Sequence, residues 1–348
     1  MRPLSAATLC GTWGTLLLPI DEHESIDWGR LAADADRLVA TELHGLYAHG
    51  TAGEFFTLTE AEHQRVNEIL AGRCEAAGKP FQIGASHMSA QIGLERIRAA
   101  AACAPSAIQV TLPDWLTLTD DEVVRCLLRM EEVARPIPLV LYNPPNSKTL
   151  VSPALYGRLG AEVPALIGCK VAGGDAGWFA AMRDRAPGLR VFVAGSRLAS
   201  SIALGAAGSY SDLACLSPDG ACAWWDLMHS DLVAALALEA GIRAFWTAYL
   251  LPLQRDGYAD PALDKFLAHV GGWSQAGTRT RWPHRWIAED RAAAVRPVAR
   301  AHLPELFGPR HEAGARPTSE QAPAVAPRRP RDGRSKGESR WKGTQVES

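Results

Sequence analysis

Short, continuous apolar runs alternate with longer stretches in which apolar residues return every three or four positions, and eight such alternations run from residue 11 to residue 213. Residues 11–19 (G-T-W-G-T-L-L-L-P) read as a first strand, and residues 27–43 as a helix with Asp27 as N-cap. Residues 45–49 form a second strand that closes on the turn 50–54, G-T-A-G-E. Residues 59–77 are a helix opened by T-E-A-E, the spacing at which a threonine and a glutamate satisfy each other's backbone N–H groups. Further strands follow at 81–85, 107–111, 138–142, 165–170, 190–194 and 208–213. Helices at 89–102, 120–134, 153–159, 175–185 and 197–204 separate them. Strands that are apolar throughout, rather than at every second residue, are buried on both faces, as in a parallel sheet covered by helices. Eight such units in roughly 220 residues predict an α/β fold, a (β/α)8 TIM barrel, rather than an open doubly wound sheet. No dinucleotide fingerprint or phosphate-binding loop is present.

Beyond the eighth strand the period stays helical, with two helices over 221–253 and another over 261–271. Trp273, Trp282 and Trp286 are then interleaved with Arg279, Arg281 and Arg285. Such a tract could stack on nucleic acid, or belong to a helical appendage that packs its tryptophans on the barrel. The second reading is adopted, and no nucleic-acid partner is expected. From residue 309 the chain turns to Pro, Arg, Ser and Gly with few large apolar residues, a composition that cannot offset its ordering entropy. The expected organisation is a barrel over 8–218, a C-terminal helical extension over 219–308 and a disordered basic tail over 309–348.

The 348 residues are 47% hydrophobic and 21% charged, enough apolar surface for one large core. A net charge of -2 points to no polyanionic partner. It conceals an asymmetry, since the tail carries nine Lys and Arg against five Asp and Glu, or +4, leaving -6 for residues 1–308. Seven scattered cysteines with no C-x-x-C pair indicate reduced thiols in a cytoplasmic protein rather than a disulfide framework or a zinc cluster. No uninterrupted apolar run reaches the roughly 18 residues of a membrane helix. The opening residues look like a secretory leader, but Gly11, Thr12, Trp13 and Gly14 break its apolar core.

The chemistry centres on residues 165–175, A-L-I-G-C-K-V-A-G-G-D. Lys170 is the only one of six lysines set inside an apolar strand. Removing an ammonium from water costs several kcal/mol unless it is paired or deprotonated. A desolvated lysine is an amine nucleophile able to form a Schiff base with a carbonyl. The bland alternative is a lysine that reaches solvent from a strand end or pairs with a carboxylate. In such a barrel the active site lies at the C-terminal ends of the strands. There Tyr142 closes the fifth strand, and Thr51 begins the turn after the second, whose small residues let backbone N–H groups hold a carboxylate. Lysine, phenol, hydroxyl and anion-binding turn together suit a 2-oxo acid.

These motifs resemble those of the dihydrodipicolinate synthase / N-acetylneuraminate lyase family of Schiff-base aldolases. The resemblance covers about residues 8–250, and more loosely to Phe307. It rests on G-T-A-G-E at 50–54, L-Y-N-P-P at 141–145, G-C-K-V-A-G-G-D at 168–175, A-G-S at 194–196 and G-S-Y-S at 208–211. By resemblance, Lys170 is the Schiff-base lysine, Tyr142 the proton-transferring tyrosine and Thr51 the relaying hydroxyl. The amides of Thr51 and Ala52 would bind the carboxylate, with Gly195 and Tyr210 lining the pocket by main chain. The resemblance implies a lyase acting on a pyruvate-like 2-oxo acid or a sugar acid, with no cofactor and no metal, assembled as a dimer or tetramer.

Three departures separate the chain from the synthase pattern. Ala52 replaces a second threonine, Pro113-Asp114-Trp115 replaces an aromatic pair, and Ser147, followed by Lys148, stands where the synthase has a carboxylate-binding arginine. A true dihydrodipicolinate synthase is therefore not expected. A dehydratase of a deoxy sugar acid, or a catalytically silent barrel that binds an oxo acid, are the alternatives. His44, His49 and His87 read as core or lining residues rather than metal ligands, with His49 and His87 near the mouth. Glu54 reads as structural, and Asp175 as the cap of the sixth helix.

Overall fold

The structure, a computed structural model, describes residues 1–210 and 212–308. The tail expected at 309–348, and Ser211, lie outside the described residues. The eight strands are β1 Gly11–Thr15, β2 Gly45–Ala48, β3 Phe81–Gly84, β4 Ala107–Val110, β5 Leu139–Tyr142, β6 Leu166–Lys170, β7 Arg190–Val193 and β8 Gly208–Tyr210. Each pairs in parallel with the next, and β8 with β1, which closes the barrel the sequence predicts. At the closure two glycines meet: a Cβ on Gly208 would lie 2.1 Å from the carbonyl oxygen of Gly11. No other residue type permits that approach.

The barrel helices are α1 Trp28–Val39, α2 Glu60–Ala77, α3 Ala90–Ala102, α4 Asp120–Ala134, α5 Pro153–Glu162, α6 Ala176–Arg185, α7 Leu198–Leu204 and the short α8 Asp212–Leu216. Their starts obey local chemistry. Asp27 accepts from the Arg30 N–H at 3.0 Å, Asp175 accepts from the Trp178 N–H at 2.8 Å, and Thr59 and Glu62 form the reciprocal cap read from the sequence. Thr119 and Glu122 form a second such cap at α4. Inside the barrel, Leu9, Trp13, Tyr47, Val140, Ile167, Phe192 and Tyr210 pack into one cluster. A larger cluster lies between strands and helices. The expected strand over 208–213 stops at Tyr210, because Asp212 opens α8 with its carboxylate accepting from the Leu213 N–H at 2.8 Å.

The C-terminal helices are α9 Pro218–Ser230, α10 Leu232–Phe245, α11 Leu251–Arg255, α12 Asp260–Gly271 and α13 Glu289–His302, with a π-helical turn Trp246–Leu250 between α10 and α11. The resulting run Leu232–Arg255, 24 residues, is long and apolar enough by length and composition to cross a membrane, the one such helix among the described residues. Counting uninterrupted apolar residues misses it, because Glu239 and Arg243 interrupt the run. In this structure the run packs against α7 and α9, and buried Glu239 accepts from the Ser200 N–H at 2.9 Å.

The tryptophan tract departs from expectation. Trp273 is buried and donates its indole N–H to the Cys215 carbonyl at 2.6 Å, but Trp282 is 73% exposed and Trp286 44%. The arginines are what fasten this segment. Arg281 forks onto both oxygens of Glu62 at 2.7 and 2.9 Å and donates to the Glu24 carbonyl at 2.8 Å, while Arg279 stacks over Trp286 at 4.3 Å.

Candidate active site

A cavity of about 280 Å³ opens at the C-terminal ends of the strands. Lys170, the last residue of β6, and Tyr142, the last of β5, are paired in register. The Lys170 Nζ lies 4.1 Å from the centre of the Tyr142 ring, 5.3 Å from that of Tyr47 and 5.5 Å from that of Tyr210. Three aromatic rings thus flank one partly buried amine. Burial draws its pKa from 10.5 to about 8, while the carboxylates of Asp264, Asp212 and Asp260 act in the opposite sense.

The Tyr142 phenol oxygen is 3.1 Å from the Thr51 Oγ1. Burial raises the phenol's pKa and the hydrogen bond to Thr51 restrains the rise, so Tyr142 is protonated at neutral pH. Thr51 comes from the turn after β2. The bonds that close this turn use the amides of Gly53 (to Gly50 O, 3.1 Å) and Glu54 (to Thr51 O, 3.0 Å), not those of Thr51 and Ala52. Thr51 and Ala52 both line the cavity. Tyr210 contributes its ring rather than its main chain alone: the phenol points down the barrel and donates to the Gln82 Oε1 at 2.7 Å. Gly195 is buried, and its amide serves the Asp212 carboxylate; Ala194 lines the cavity in its place.

Sequence reasoning missed the acidic side of this cavity. Asp212, Cys215, Asp260 and Asp264 line it, with Trp246, Leu250 and Gln254 from the C-terminal helices. Asp212 is fixed by the Ser196 N–H and hydroxyl, both at 3.0 Å. Burial raises the Asp264 carboxyl well above its ordinary range, reinforced by the charges of Asp260 and Asp212. Asp260 and Asp264 lie on α12, far along the chain from every barrel motif, so no local pattern announced them. Tyr47 did have a signal, as an inward residue of a strand ending at the mouth.

The histidines stay outside this cavity. His49 is buried, with its Nε2 2.8 Å from the Asn67 Oδ1 and its ring stacked on His63 at 3.8 Å; burial keeps it neutral. His44 bonds at its Nδ1 with the Thr12 N–H, and the His87 Nδ1 accepts from the Ser89 N–H. Lys148, the neighbour of Ser147, donates to the Trp115 carbonyl at 2.7 Å and lies over that ring. Glu54 is structural, as the sequence suggested: its Oε2 accepts from the Arg281 N–H at 2.9 Å, and its other oxygen pairs with Lys265.

The fold and these positions define a (β/α)8 barrel with a desolvated lysine at its mouth. No protein-family model matches the chain. It is 32% identical over 207 residues to the 4-hydroxy-tetrahydrodipicolinate synthase of Acidobacterium capsulatum, covering 58% of this chain and 67% of that protein. To the synthase of Pseudomonas putida it is 27% identical over 297 residues, covering 84% and 98%. With other curated synthases the match spans just over half of the relative's length, 57% in one and 55% in another. Among solved structures, YagE of E. coli K12, of the dihydrodipicolinic acid synthase family and in complex with pyruvate, superposes with a TM-score of 0.75. The identity is 19%, over 84% of this chain and 98% of that one. The chain belongs to the dihydrodipicolinate synthase / N-acetylneuraminate lyase family.

Proposed function

We propose that this protein is a Schiff-base lyase that cleaves or condenses a pyruvate-like 2-oxo acid on Lys170. The observation that carries the reading is the amine 4.1 Å from the ring of Tyr142, whose hydroxyl meets Thr51 at 3.1 Å. The neutral Lys170 amine attacks the C2 carbonyl, the carbinolamine loses water, and the protonated imine draws electrons from C3. Tyr142, protonated at rest, gives its proton to the hydroxyl that leaves the carbinolamine as water, and for cleavage of a 4-hydroxy-2-oxo acid the phenolate so formed takes up the C4 hydroxyl proton through Thr51 as the C3–C4 bond breaks. The enamine is then protonated at C3 and hydrolysed. The amides of Thr51 and Ala52 hold the carboxylate, Tyr210 floors the pocket, and Gly195 acts through Asp212. These residues do this without a metal or organic cofactor.

The curated relatives are named as synthases, yet the departures at Ala52, Trp115 and Ser147 bear on the second substrate. Trp115 is 70% exposed and Lys148 is committed to its carbonyl, so neither supplies a phenol or a free cation to the cavity. We therefore read the protein as an aldolase other than the synthase. A homo-oligomer and a cytoplasmic location follow from the family resemblance. A dehydratase would use the same imine but expel a hydroxyl as water. A silent binding barrel has less support, because binding alone does not require a desolvated amine.

Product analysis with 4-hydroxy-2-oxo acids tests the reading. Cleavage releases pyruvate and an aldehyde, whereas dehydration keeps the carbon skeleton whole; both depend on Lys170. Turnover by Lys170→Ala at the wild-type rate would sink the imine mechanism.

A further inference from the structure

A second hollow of about 200 Å³ adjoins the catalytic cavity and shares Trp246 and Gln254 with it. Arg197, in the turn after β7, and Arg243 of α10 also line this hollow, and no carboxylate does. Residues 1–308 carry a net charge of -6, so this concentration of positive charge is local. Among the described residues neither guanidinium has an ion-pair or hydrogen-bond partner, whereas Arg96, Arg158 and Arg281 are each bound to carboxylates.

A basic residue near the end of a helix ordinarily offsets the carbonyl end of its dipole. Arg243 has no such end to serve. Helix α10 runs on through the π-helical turn into α11, and the Arg243 carbonyl accepts from the Thr247 hydroxyl at 2.8 Å. Such a turn inserts an extra residue into the helical repeat and recurs at functional sites. Here it sets Trp246 and Thr247 along one side of the hollow. Unpaired guanidiniums around one concavity suit an oxoanion, because each presents parallel N–H donors that match a phosphate or a carboxylate.

Ser196 joins the two spaces. It lines the hollow, and its N–H and hydroxyl both hold the Asp212 carboxylate of the catalytic cavity at 3.0 Å. The Lys170 amine is faced by Asp212 and Cys215 from α8, by Asp260 and Asp264 from α12, and by the rings of Tyr47, Tyr142 and Tyr210. Asp264, Asp212 and Asp260 favour its ammonium against burial. An anion across the shared wall adds to their side of the balance and leaves fewer amines neutral near pH 7.

We propose that Arg197 and Arg243 bind a small oxoanion, a phosphate or a carboxylate, as an effector outside the catalytic cavity, and that its binding slows imine formation on Lys170. The effect on the imine rests on the Schiff-base reading of Lys170; the binding does not.

Inorganic phosphate is the probe, with chloride at matched ionic strength as the control and succinate in parallel to tell a phosphate site from a carboxylate one. Calorimetric titration of the wild type is expected to give half-saturation at about 1 mM or below for at least one of the two. The double variant Arg197→Gln, Arg243→Gln should lose that binding and, without the anion, trap pyruvate as the wild type does; both side chains are exposed. Arg243→Gln alone should weaken the binding about tenfold, which keeps the test open should the double variant not fold. At saturating pyruvate and pH 7 the bound anion is expected to slow borohydride trapping on the wild type about twofold or more. The pH midpoint of trapping should move upward, and the double variant should show neither change. Competition at the Thr51 turn would instead vanish at saturating pyruvate and persist in the double variant, a pattern that overturns the proposal. Wild-type protein that binds neither anion, binding that survives in the double variant, or binding with no effect on trapping overturns it as well. If pyruvate leaves no adduct at all, the Schiff-base reading fails and the coupling with it, while the calorimetry still decides whether the site exists.

Discussion

Tyr142 faces Lys170 because the ladder between their strands slips by one residue. Leu139 pairs with Leu166, but Val140 pairs with Gly168, which leaves Ile167 unmatched and carries Tyr142 onto Lys170 instead of Cys169. Opposed residues of neighbouring strands share a face, so this irregularity sets phenol and amine on one side of the sheet. It depends on Gly168, where a Cβ would lie 2.7 Å from the Arg190 carbonyl oxygen and 2.8 Å from the Leu9 Cδ2. Gly168→Ala is expected to cost about 1–3 kcal/mol from overpacking and to lower imine formation by more than the stability loss explains. Urea unfolding and trapping at a temperature where the variant is folded separate the two effects.

The phenol's part is chemical rather than architectural. Tyr142→Phe keeps the ring beside Lys170 and removes only the oxygen 3.1 Å from Thr51. Turnover is expected to fall by about 10²–10⁴, while the reduced adduct still forms on prolonged incubation. Normal turnover by this variant would place the proton transfer elsewhere.

The lysine should show its burial in two pH profiles. Its pKa of about 8 in the folded protein lies below the ordinary 10.5. The neutral amine therefore accumulates as pH rises, and adduct formation should climb to about pH 8 and then level. Stability moves with it. Between the two values the unfolded chain binds more protons than the folded one, so stability rises with pH across that window, and the cost is fully present below it. Lys170→Met should therefore be more stable than wild type near pH 7, by up to about 3 kcal/mol, with the advantage shrinking above pH 8. Denaturant midpoints at pH 7 and pH 10 report it.

Glu54 and Lys265 form an ion pair with both side chains fully buried. Glu54 sits in the left-handed region at φ 48, a conformation held by this pair and by the Arg281 amide. Lys265→Ala should cost about 3–5 kcal/mol, because it strands a buried carboxylate. The double variant Glu54→Leu, Lys265→Met should cost less than that single change. Urea midpoints with unchanged slope would confirm the order, and the reverse order would contradict it.

The barrel was legible because its strands are apolar on both faces and its helices announce their starts through Asp27, Thr59 and Asp175. Lys170, Tyr142 and Thr51 were legible as strand-end residues, and the structure brings them around one cavity. The register slip was not legible, since it depends on the pairing of residues 27 and 28 positions apart in the chain. Asp260, Asp264 and Gln254 were hidden for the same reason: their helices read as an appendage, and only packing shows that they wall the cavity. The aromatic tract was legible only in part: Trp273 packs into the core as expected, but Trp282 and Trp286 stay exposed and Arg281 anchors that segment.

The most direct measurement is reduction with borohydride in the presence of pyruvate, followed by peptide mapping. A reduced pyruvyl group is expected on Lys170 of the wild type, with none on Lys170→Ala. A wild-type protein left unmodified by pyruvate and by a broad panel of 2-oxo acids, or modified at some other lysine, would contradict the account.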